Sequence, residues 1–311
     1  MMRADTDHLS ETHRDELLHA VDLIFEEFAE SLRGKQAAHR KAGRILKLIL
    51  FGAFARANWR ERDAGGELAG FEILVIVNHD ELADMDRYWG HAIDRLHRAW
   101  EAGLILRPVR LAVHSLADIN SKLVAGVPFF TAIAGDGIAL YQSSSEPLAT
   151  PRHLAADERQ ARAGQEFARW FPRVVDFMAG AAFFRERDNP ALAALLLHQA
   201  CEHLYQCVLW TCTLYGPRTH ALAELRTLAE QQDARLVAAW PRVARFERRC
   251  FARLRRAYVE ARYSAHFRIN AAEVAWAAER VALLRKLVGR VCEERCGAAF
   301  PDQDRGGQHG L

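Results

Sequence analysis

The sequence lacks a long run of apolar residues. The longest candidate, Ile45 to Ala55, is interrupted by Lys47 and followed by Arg56, whereas a membrane-spanning helix needs about 20 consecutive apolar residues. The stretch from Met1 to Glu11 is polar and has no apolar core of the kind found in a signal peptide. We therefore expect a cytoplasmic protein with no membrane partner.

The sequence also lacks a charge excess and paired cysteines. Its 42 lysines and arginines nearly balance its 40 aspartates and glutamates, which gives a net charge of +2. This balance excludes a nucleic-acid binder that relies on a large overall positive charge, but it does not exclude local basic patches. The six cysteines include no Cys-x-x-Cys pair, so we interpret them as buried or half-buried thiols and predict no metal site.

What is present is the composition of an ordinary globular protein. Half of the 311 residues are hydrophobic and 26% are charged, and this length predicts two domains. In the first half, apolar periodicity predicts a mixture of helices and strands. Helices are predicted at 13–32, 80–101, 116–125 and 128–134, and strands at 45–51, 71–77, 109–114 and 138–141.

After residue 143 the pattern predicts helices only. They are expected at about 157–187, 190–215, 219–232, 243–265 and 271–296. Their short connections favour antiparallel neighbours in a bundle. The sequence thus predicts an α+β protein with a small mixed-sheet domain and N-terminal helix at 1–145, a linker at 146–156, a helical bundle at 157–296 and a disordered tail at 297–311.

One motif of the first domain is a strand, a glycine turn and a second strand. The first strand runs into Gly52-Ala53-Phe54-Ala55-Arg56, and the next begins Gly70-Phe71-Glu72. This order resembles the minimal nucleotidyltransferase family. There, a Gly-Ser turn and the start of a helix cradle a triphosphate, while Asp-x-Asp and a third acid hold two Mg²⁺ ions for phosphoryl transfer.

The charged positions of that family pattern are mostly replaced in this chain. Ala53 stands at the serine position, Gly70 at the first aspartate, and the strand expected to supply the third acid offers Arg110. Because one carboxylate cannot readily hold two Mg²⁺ ions, we do not expect nucleotidyl transfer, and Mg²⁺ with a nucleotide is disfavoured. A scaffold without any ligand is the open alternative, with Glu72 as a surface acid at a strand end. The candidate nucleotide-binding residues are Gly52, Ala53, Arg56 and Glu72.

A second motif consists of three blocks in the helical half. They are Leu197-His198-Gln199-Ala200-x-Glu202-x-x-Tyr205, then Pro217-Arg218-Thr219-His220, then Tyr258-x-x-Ala261-Arg262-Tyr263. In this order they resemble HEPN domains, which are helical bundles often fused to or paired with minimal nucleotidyltransferases. The resemblance spans about residues 160–296. It implies a homodimer through the bundle and, by analogy alone, a role in defence or toxin–antitoxin biology.

Polar residues of these blocks recur at helical spacing, which places them on shared helix faces. On one helix they are His198, Glu202 and Tyr205, and on a later one Tyr258, Arg262 and His266, with Tyr263 beside them. We expect Glu202 to approach Arg262, because neither charge is cheap to bury alone. Such a network either fixes the register of the helices or lines a nucleotide or RNA pocket.

A catalytic alternative rests on the Arg-x(4–6)-His motif by which HEPN ribonucleases resemble one another. In that motif the arginine stabilises phosphate charge and the histidine acts as a general acid or base. The nearest approach in the bundle is Arg262-Tyr-Ser-Ala-His266, which is one residue short but is predicted to lie on one helix face. A metal-independent ribonuclease using Arg262 and His266 is therefore the alternative function. His220 is expected to help start a helix, with Thr219 as its N-cap.

Five arginines at helical spacing form a basic stripe in the bundle. They are Arg242, Arg245, Arg249, Arg253 and Arg256. Such a stripe would suit RNA phosphates, or it is a solvated face paired with acids of neighbouring helices. The leading interpretation is a HEPN protein with a degenerate nucleotidyltransferase-like domain that binds a nucleotide or RNA without nucleotidyl transfer.

Overall fold

The chain folds into two compact units, Met1–Leu154 and Ala155–Leu311. The computed structural model describes residues 2–34, 42–56, 59–63, 65–143 and 147–297. The boundary between the units lies within the segment 146–156 that the sequence assigns to a linker. The predicted disordered tail lies, from residue 298 onward, outside the described residues.

The first unit is built on a four-stranded mixed sheet with the strand order β3-β2-β1-β4. The strands are β1 (Ile45–Phe51), β2 (Phe71–Val77), β3 (Val109–Ser115) and β4 (Ile138–Gln142). β1 is antiparallel to both β2 and β4, whereas β2 and β3 are parallel. β2 is buried along its whole length, which explains why every residue but Glu72 is apolar: a central strand covered on both faces needs no alternation.

Within the described residues, four α-helices accompany this sheet. They are α1 (Glu11–Leu32), α2 (Gly90–Glu101), α3 (Leu116–Val124) and α4 (Pro128–Asp136). α1 packs against α2, and the rings of Phe28 and Trp89 stack with their centroids 4.9 Å apart. Both rings belong to the core that also contains Phe71, Ile73, Val75 and Val77 of β2, so one face of the sheet and α1 share a hydrophobic core.

The predicted helix 80–101 is wrong over its first half. A 3₁₀ helix (Asp80–Ala83) and a π-helical turn (Met85–Trp89) precede α2. The break has two local causes. The Asp84 side chain accepts a hydrogen bond from the backbone N–H of Arg87 and so caps the start of a new helical segment. The indole N–H of Trp89 also donates to the carbonyl of Leu82 at 2.7 Å.

The second unit is helical throughout its regular structure. Its helices are α5 (Ala156–Trp170), α6 (Arg173–Glu186), α7 (Pro190–Thr213), α8 (Leu222–Gln232), α9 (Arg245–Tyr263) and α10 (Ala271–Cys296), with a 3₁₀ helix (Ala234–Ala239) after α8. α7 packs against each of the other five α-helices. It is apolar on nearly every side because it is the central helix of the bundle.

The α+β fold class predicted from the sequence is confirmed, with three local corrections in the bundle. The predicted helix 157–187 is two helices, because Pro172 stands at the break and is the N-cap of α6. α8 begins only at Leu222, with Ala221 rather than Thr219 as its N-cap. α9 ends at Tyr263, so His266 lies beyond it.

Membrane-spanning potential is weak throughout the described residues. No single helix there is long and apolar enough to cross a membrane. The pair α3 and α4, which meet at a bend of 104°, passes the same test only in its combined length and composition.

Candidate functional site

The glycine turn after β1 is closed by a carboxylate. Gly52 has φ +73° and ψ −142°, a conformation that residues with a Cβ rarely adopt. Glu72 is the register partner of Phe51 on β2, and its side chain packs so closely on Gly52 that any Cβ there would overlap the carboxylate. The turn therefore needs glycine to make room for Glu72.

This turn lacks the α-helix start that the predicted phosphate cradle would use. A single 3₁₀ turn (Ala53–Ala55) follows Gly52 instead of an α-helix, so no helical N-terminus presents its amides to a triphosphate. The N-terminal segment covers two carbonyls of the turn: Arg3 Nη2 donates to Ala55 O at 2.6 Å, and His8 Nε2 lies 2.9 Å from Phe54 O. Arg56 is exposed at the end of the turn.

Glu72 is not the surface acid that the sequence suggested. Only 3% of this residue is exposed. The β2–β3 register places Arg110 directly beside it, at the position where the metal-dependent family would need another acid. Across the described residues, no group of three or more His, Cys, Asp or Glu side chains is placed to hold a metal ion. The described sheet unit therefore offers no two-metal site.

Five polar side chains meet in the helical unit, and we call them the Tyr258 cluster. They are His198 and Glu202 of α7, His220 of the connection before α8, and Tyr258 and Arg262 of α9. Around the Tyr258 ring, the His220 ring stacks with centroids 4.6 Å apart, the His198 ring stacks at 5.3 Å, and the Arg262 guanidinium lies 4.2 Å from the centroid.

Glu202 is the buried anion of this cluster. One carboxylate oxygen lies 2.9 Å from His220 Nδ1, and the other accepts a hydrogen bond from Gln199 Nε2 at 3.2 Å. The Glu202 side chain is 11% exposed whereas that of His220 is 59% exposed. The pair thus places a solvent-accessible imidazole on a buried carboxylate.

Glu202 and Arg262 belong to the same cluster, as predicted, but no ion pair joins them among the described residues. Arg262 lies in the last turn of α9, where its Nε donates to the carbonyl of Tyr258 at 2.6 Å. Its guanidinium also lies 5.0 Å from the ring centroid of Tyr263, a side chain that is 77% exposed. The exposed arginine is held by its own helix and by two aromatic rings, so its charge is not neutralised by Glu202.

His198 is the fully buried member of the cluster. Within the described part of the chain, neither of its ring nitrogens has a hydrogen-bond partner, and Nδ1 lies 3.9 Å from a carboxylate oxygen of Glu202. Burial, together with the charges of His220 and Arg262, lowers the pKa of His198 to about 4. His198 is therefore neutral at pH 7.

Sequence reasoning missed His220 as a site residue. The Thr219 hydroxyl oxygen accepts from Ala221 N at 3.1 Å, and its O–H donates to Glu224 at 3.2 Å, which leaves the His220 ring to pair with Glu202. The partners stand 18 positions apart on different elements, so no periodicity relates them. The only sequence signal was that both residues belong to the family-like blocks.

Two other predicted residues lie apart from this arrangement. His266 follows the end of α9, where its backbone N–H donates to Ser264 Oγ at 3.2 Å. Arg262 and His266 therefore do not share a helix face, and the prediction that they do is wrong. Tyr205 is entirely buried in the core of the bundle, and burial raises its pKa well above the usual range.

The predicted basic stripe is largely neutralised by carboxylates. Four of its arginines form ion pairs: Arg242 with Glu230, Arg249 and Arg253 with Glu273, and Arg256 with Glu260. Burial opposes ionisation of Glu273, but hydrogen bonds from Asn270, Arg249 and Arg253 outweigh it and lower its pKa. Arg242 also precedes α9. Of the stripe, only Arg245 has no acidic partner among the described residues.

Comparison with known proteins bears on the helical unit most directly. Residues 167–293 match the HEPN domain family. Among solved structures, this chain is similar to a nucleotidyltransferase-like protein from Exiguobacterium sibiricum, with 12% sequence identity and a TM-score of 0.28. The similarity covers 90% of this chain and 78% of the other protein's chain. A comparison with curated proteins found no match. The helical unit therefore carries a HEPN domain, which confirms the resemblance predicted from its three sequence blocks.

Proposed function

We propose that this HEPN protein binds a nucleotide or RNA at the Tyr258 cluster and does not catalyse nucleotidyl transfer. The observation that carries the proposal is that two exposed, hydrogen-bonding side chains, Arg262 and His220, lie against the same aromatic ring. A guanidinium binds phosphate through a planar fork of donors, and aromatic rings beside it stack with bases. The cluster thus combines the two chemistries that a nucleotide needs.

The sheet unit supports the second half of the proposal. The Glu72 side chain fills the space beside Gly52 in the turn, which leaves no room there for a phosphate. The adjoining register position holds Arg110, which cannot ligate a metal ion. Without paired carboxylates, the phosphoryl-transfer geometry of a two-metal enzyme has no support in the described residues.

The binding proposal is tested by titrating labelled single-stranded RNA and 5′-AMP against the protein and its variants. Arg262→Gln should weaken binding about tenfold, which corresponds to the loss of about 1.4 kcal/mol. The matched control is Arg56→Gln, an exposed arginine of the sheet unit, which should bind as the wild type does. If Arg56→Gln abolished binding and Arg262→Gln did not, the site would lie in the sheet unit instead.

The Glu202–His220 contact favours a second candidate, a metal-independent ribonuclease. A carboxylate on Nδ1 fixes the orientation of an imidazole, as in catalytic triads, and Nε2 of His220 has no hydrogen bond within the described chain. Such an imidazole can act as a general acid or base next to a 2′-hydroxyl, while Arg262 stabilises charge on the phosphate. In this version of the ribonuclease hypothesis, His220 takes the place of His266.

Cleavage of labelled RNA in EDTA tests the ribonuclease. His220→Ala should lower the cleavage rate at least 100-fold, the usual contribution of a general acid or base, whereas His266→Ala should leave it unchanged. Loss of cleavage in His266→Ala but not in His220→Ala would return the catalytic role to Arg262 and His266. RNA that is bound but stays intact would leave binding alone as the function.

The assembly and biology that the HEPN resemblance implies complete the proposal. We propose a homodimer formed through the helical unit, working in the cytoplasm in defence or as part of a toxin–antitoxin pair. Light scattering of the purified chain tests the dimer, because a monomer of 35.2 kDa and its dimer differ twofold in mass.

A further inference from the structure

α9 carries a second row of arginines, and it shares only Arg245 with the predicted stripe. At steps of three and four residues, six positions of this helix share one face, and all six are exposed. They are Arg245, Arg248, Ala252, Arg255, Val259 and Arg262. We call this row the arginine face of α9. It contains four cations and no acid.

The arginine face differs from the neutralised stripe in its partners. Arg245 and Arg255 form no hydrogen bond or ion pair with any residue that the structure describes. Arg248 donates to the carbonyls of Arg242 and Val243 at 2.9 and 2.6 Å, and Arg262 donates to a carbonyl as well. Since a carbonyl carries no net charge, the positive charge of the whole row stays uncompensated. The nearby Glu260 is engaged by Arg256 through two hydrogen bonds.

The row is long enough to contact several phosphates of a nucleic-acid strand, and it ends at the Tyr258 cluster. From Arg245 to Arg262 the helix rises about 25 Å at 1.5 Å per residue, and Arg248, Arg255 and Arg262 follow each other at about 10 Å. The far end of the row is Arg262, which belongs to the Tyr258 cluster. A mononucleotide would occupy only that end, whereas the remaining cations would serve a longer polyanion.

We propose that the arginine face binds the phosphate backbone of single-stranded RNA and leads the strand to the Tyr258 cluster. Between the arginines the row offers only Ala252 and Val259, which cannot read base edges, so binding along it is independent of sequence. Stacking groups stand at the Arg262 end, where Tyr263 and His220 are exposed. This inference rests on the proposed binding function and names its ligand class as an RNA strand.

The test measures the salt dependence of RNA affinity. Fluorescence anisotropy with a 12-nucleotide single-stranded RNA is recorded across a range of salt concentrations for the wild type and for Arg245→Gln/Arg255→Gln. Losing two phosphate contacts should reduce the slope of log K against log salt by about 1.4, since each contact to a single strand contributes about 0.7. Affinity for 5′-AMP should stay at the wild-type value.

The control removes the same charge elsewhere. Arg60→Gln/Arg98→Gln replaces two exposed arginines of the sheet unit and should keep the wild-type slope. If wild-type RNA binding is sensitive to Arg262→Gln but the α9 double variant changes neither slope nor affinity, RNA binding by the arginine face is refuted and the proposed function stands. If the wild type binds neither RNA nor 5′-AMP, the proposed function itself fails. Equal affinity for duplex RNA would overturn the assignment to single strands.

Discussion

His220 Nδ1 lies 2.9 Å from a carboxylate oxygen of Glu202, and this contact joins α7 to the connection before α8. The Gln206 amide of α7 donates to Pro217 O at 2.9 Å and holds the same connection to the helix. The position of His220 therefore depends on polar contacts to α7 as well as on the Thr219–Glu224 hydrogen bond to the start of α8.

A double-mutant cycle should reveal this contact as an energetic coupling. Glu202→Ala and His220→Ala should each lower the free energy of unfolding, and the double variant should cost less than the sum by about 1 kcal/mol, because the second change finds the partner already gone. Urea denaturation measures all four proteins. The cycle of Glu202→Ala with His266→Ala serves as the control and should be additive.

The buried His198 makes stability depend on pH. Its pKa is about 4 in the folded chain and about 6.5 when unfolded, so the unfolded chain binds the proton first as pH falls. Stability from this residue is complete above pH 6.5 and is lost as pH falls toward 4, by about 3 kcal/mol in all. His198→Leu should flatten the stability profile in that window relative to the wild type. Parallel profiles from pH 7 to pH 4 would contradict this account.

The sequence predicted regular structure best where burial and local pattern agree. β1 and β2 were predicted at their observed bounds because both are apolar runs bounded by turn residues. The helix 80–101 failed because the Asp84 cap and the Trp89–Leu82 hydrogen bond interrupt a periodic sequence. The periodicity of apolar residues indicates which side chains face the core, but it does not show which backbone hydrogen bonds form.

Most members of the candidate site were predictable, but His220 and the pairings were not. The HEPN-like blocks indicated His198, Glu202, Tyr258 and Arg262, and these side chains do lie in one cluster. Their pairing was not predictable, because the partner of Glu202 comes from an irregular connection whose path is fixed by tertiary contacts. The burial of Glu72 was missed for a similar reason: the strand pattern cannot show that its side chain folds onto the Gly52 turn.

Gly52 and Glu72 should behave as one structural unit. Gly52→Ala places a Cβ against the Glu72 carboxylate at a left-handed φ, and such strain costs about 1–3 kcal/mol. We expect a lower melting temperature for the sheet unit in calorimetry. Adding Glu72→Ala removes the overlap and should restore part of the loss, while the strain at φ +73° remains. A double variant less stable than Gly52→Ala alone would contradict the contact.

Glu273 should be the costliest carboxylate to remove from the bundle. It is fully buried, receives Arg249 and Arg253, and also caps α10 by accepting from the backbone N–H of Asn270 at 3.1 Å. Glu273→Ala removes charged hydrogen bonds from two arginines that are partly exposed to solvent, so the free energy of unfolding should fall by about 1.5–3 kcal/mol.

The pH dependence and a matched variant separate this role from a general loss of charge. Because the folded pKa of Glu273 lies below its ordinary value, its stabilisation is present above the unfolded pKa, near 4.5, and is lost as pH falls through the folded one. Glu260→Ala removes the partner of Arg256 from an exposed pair and should cost much less, because solvent screens such a pair. Urea denaturation at pH 7 distinguishes the two carboxylates, and equal losses would show that burial does not set the strength of the Glu273 pairing.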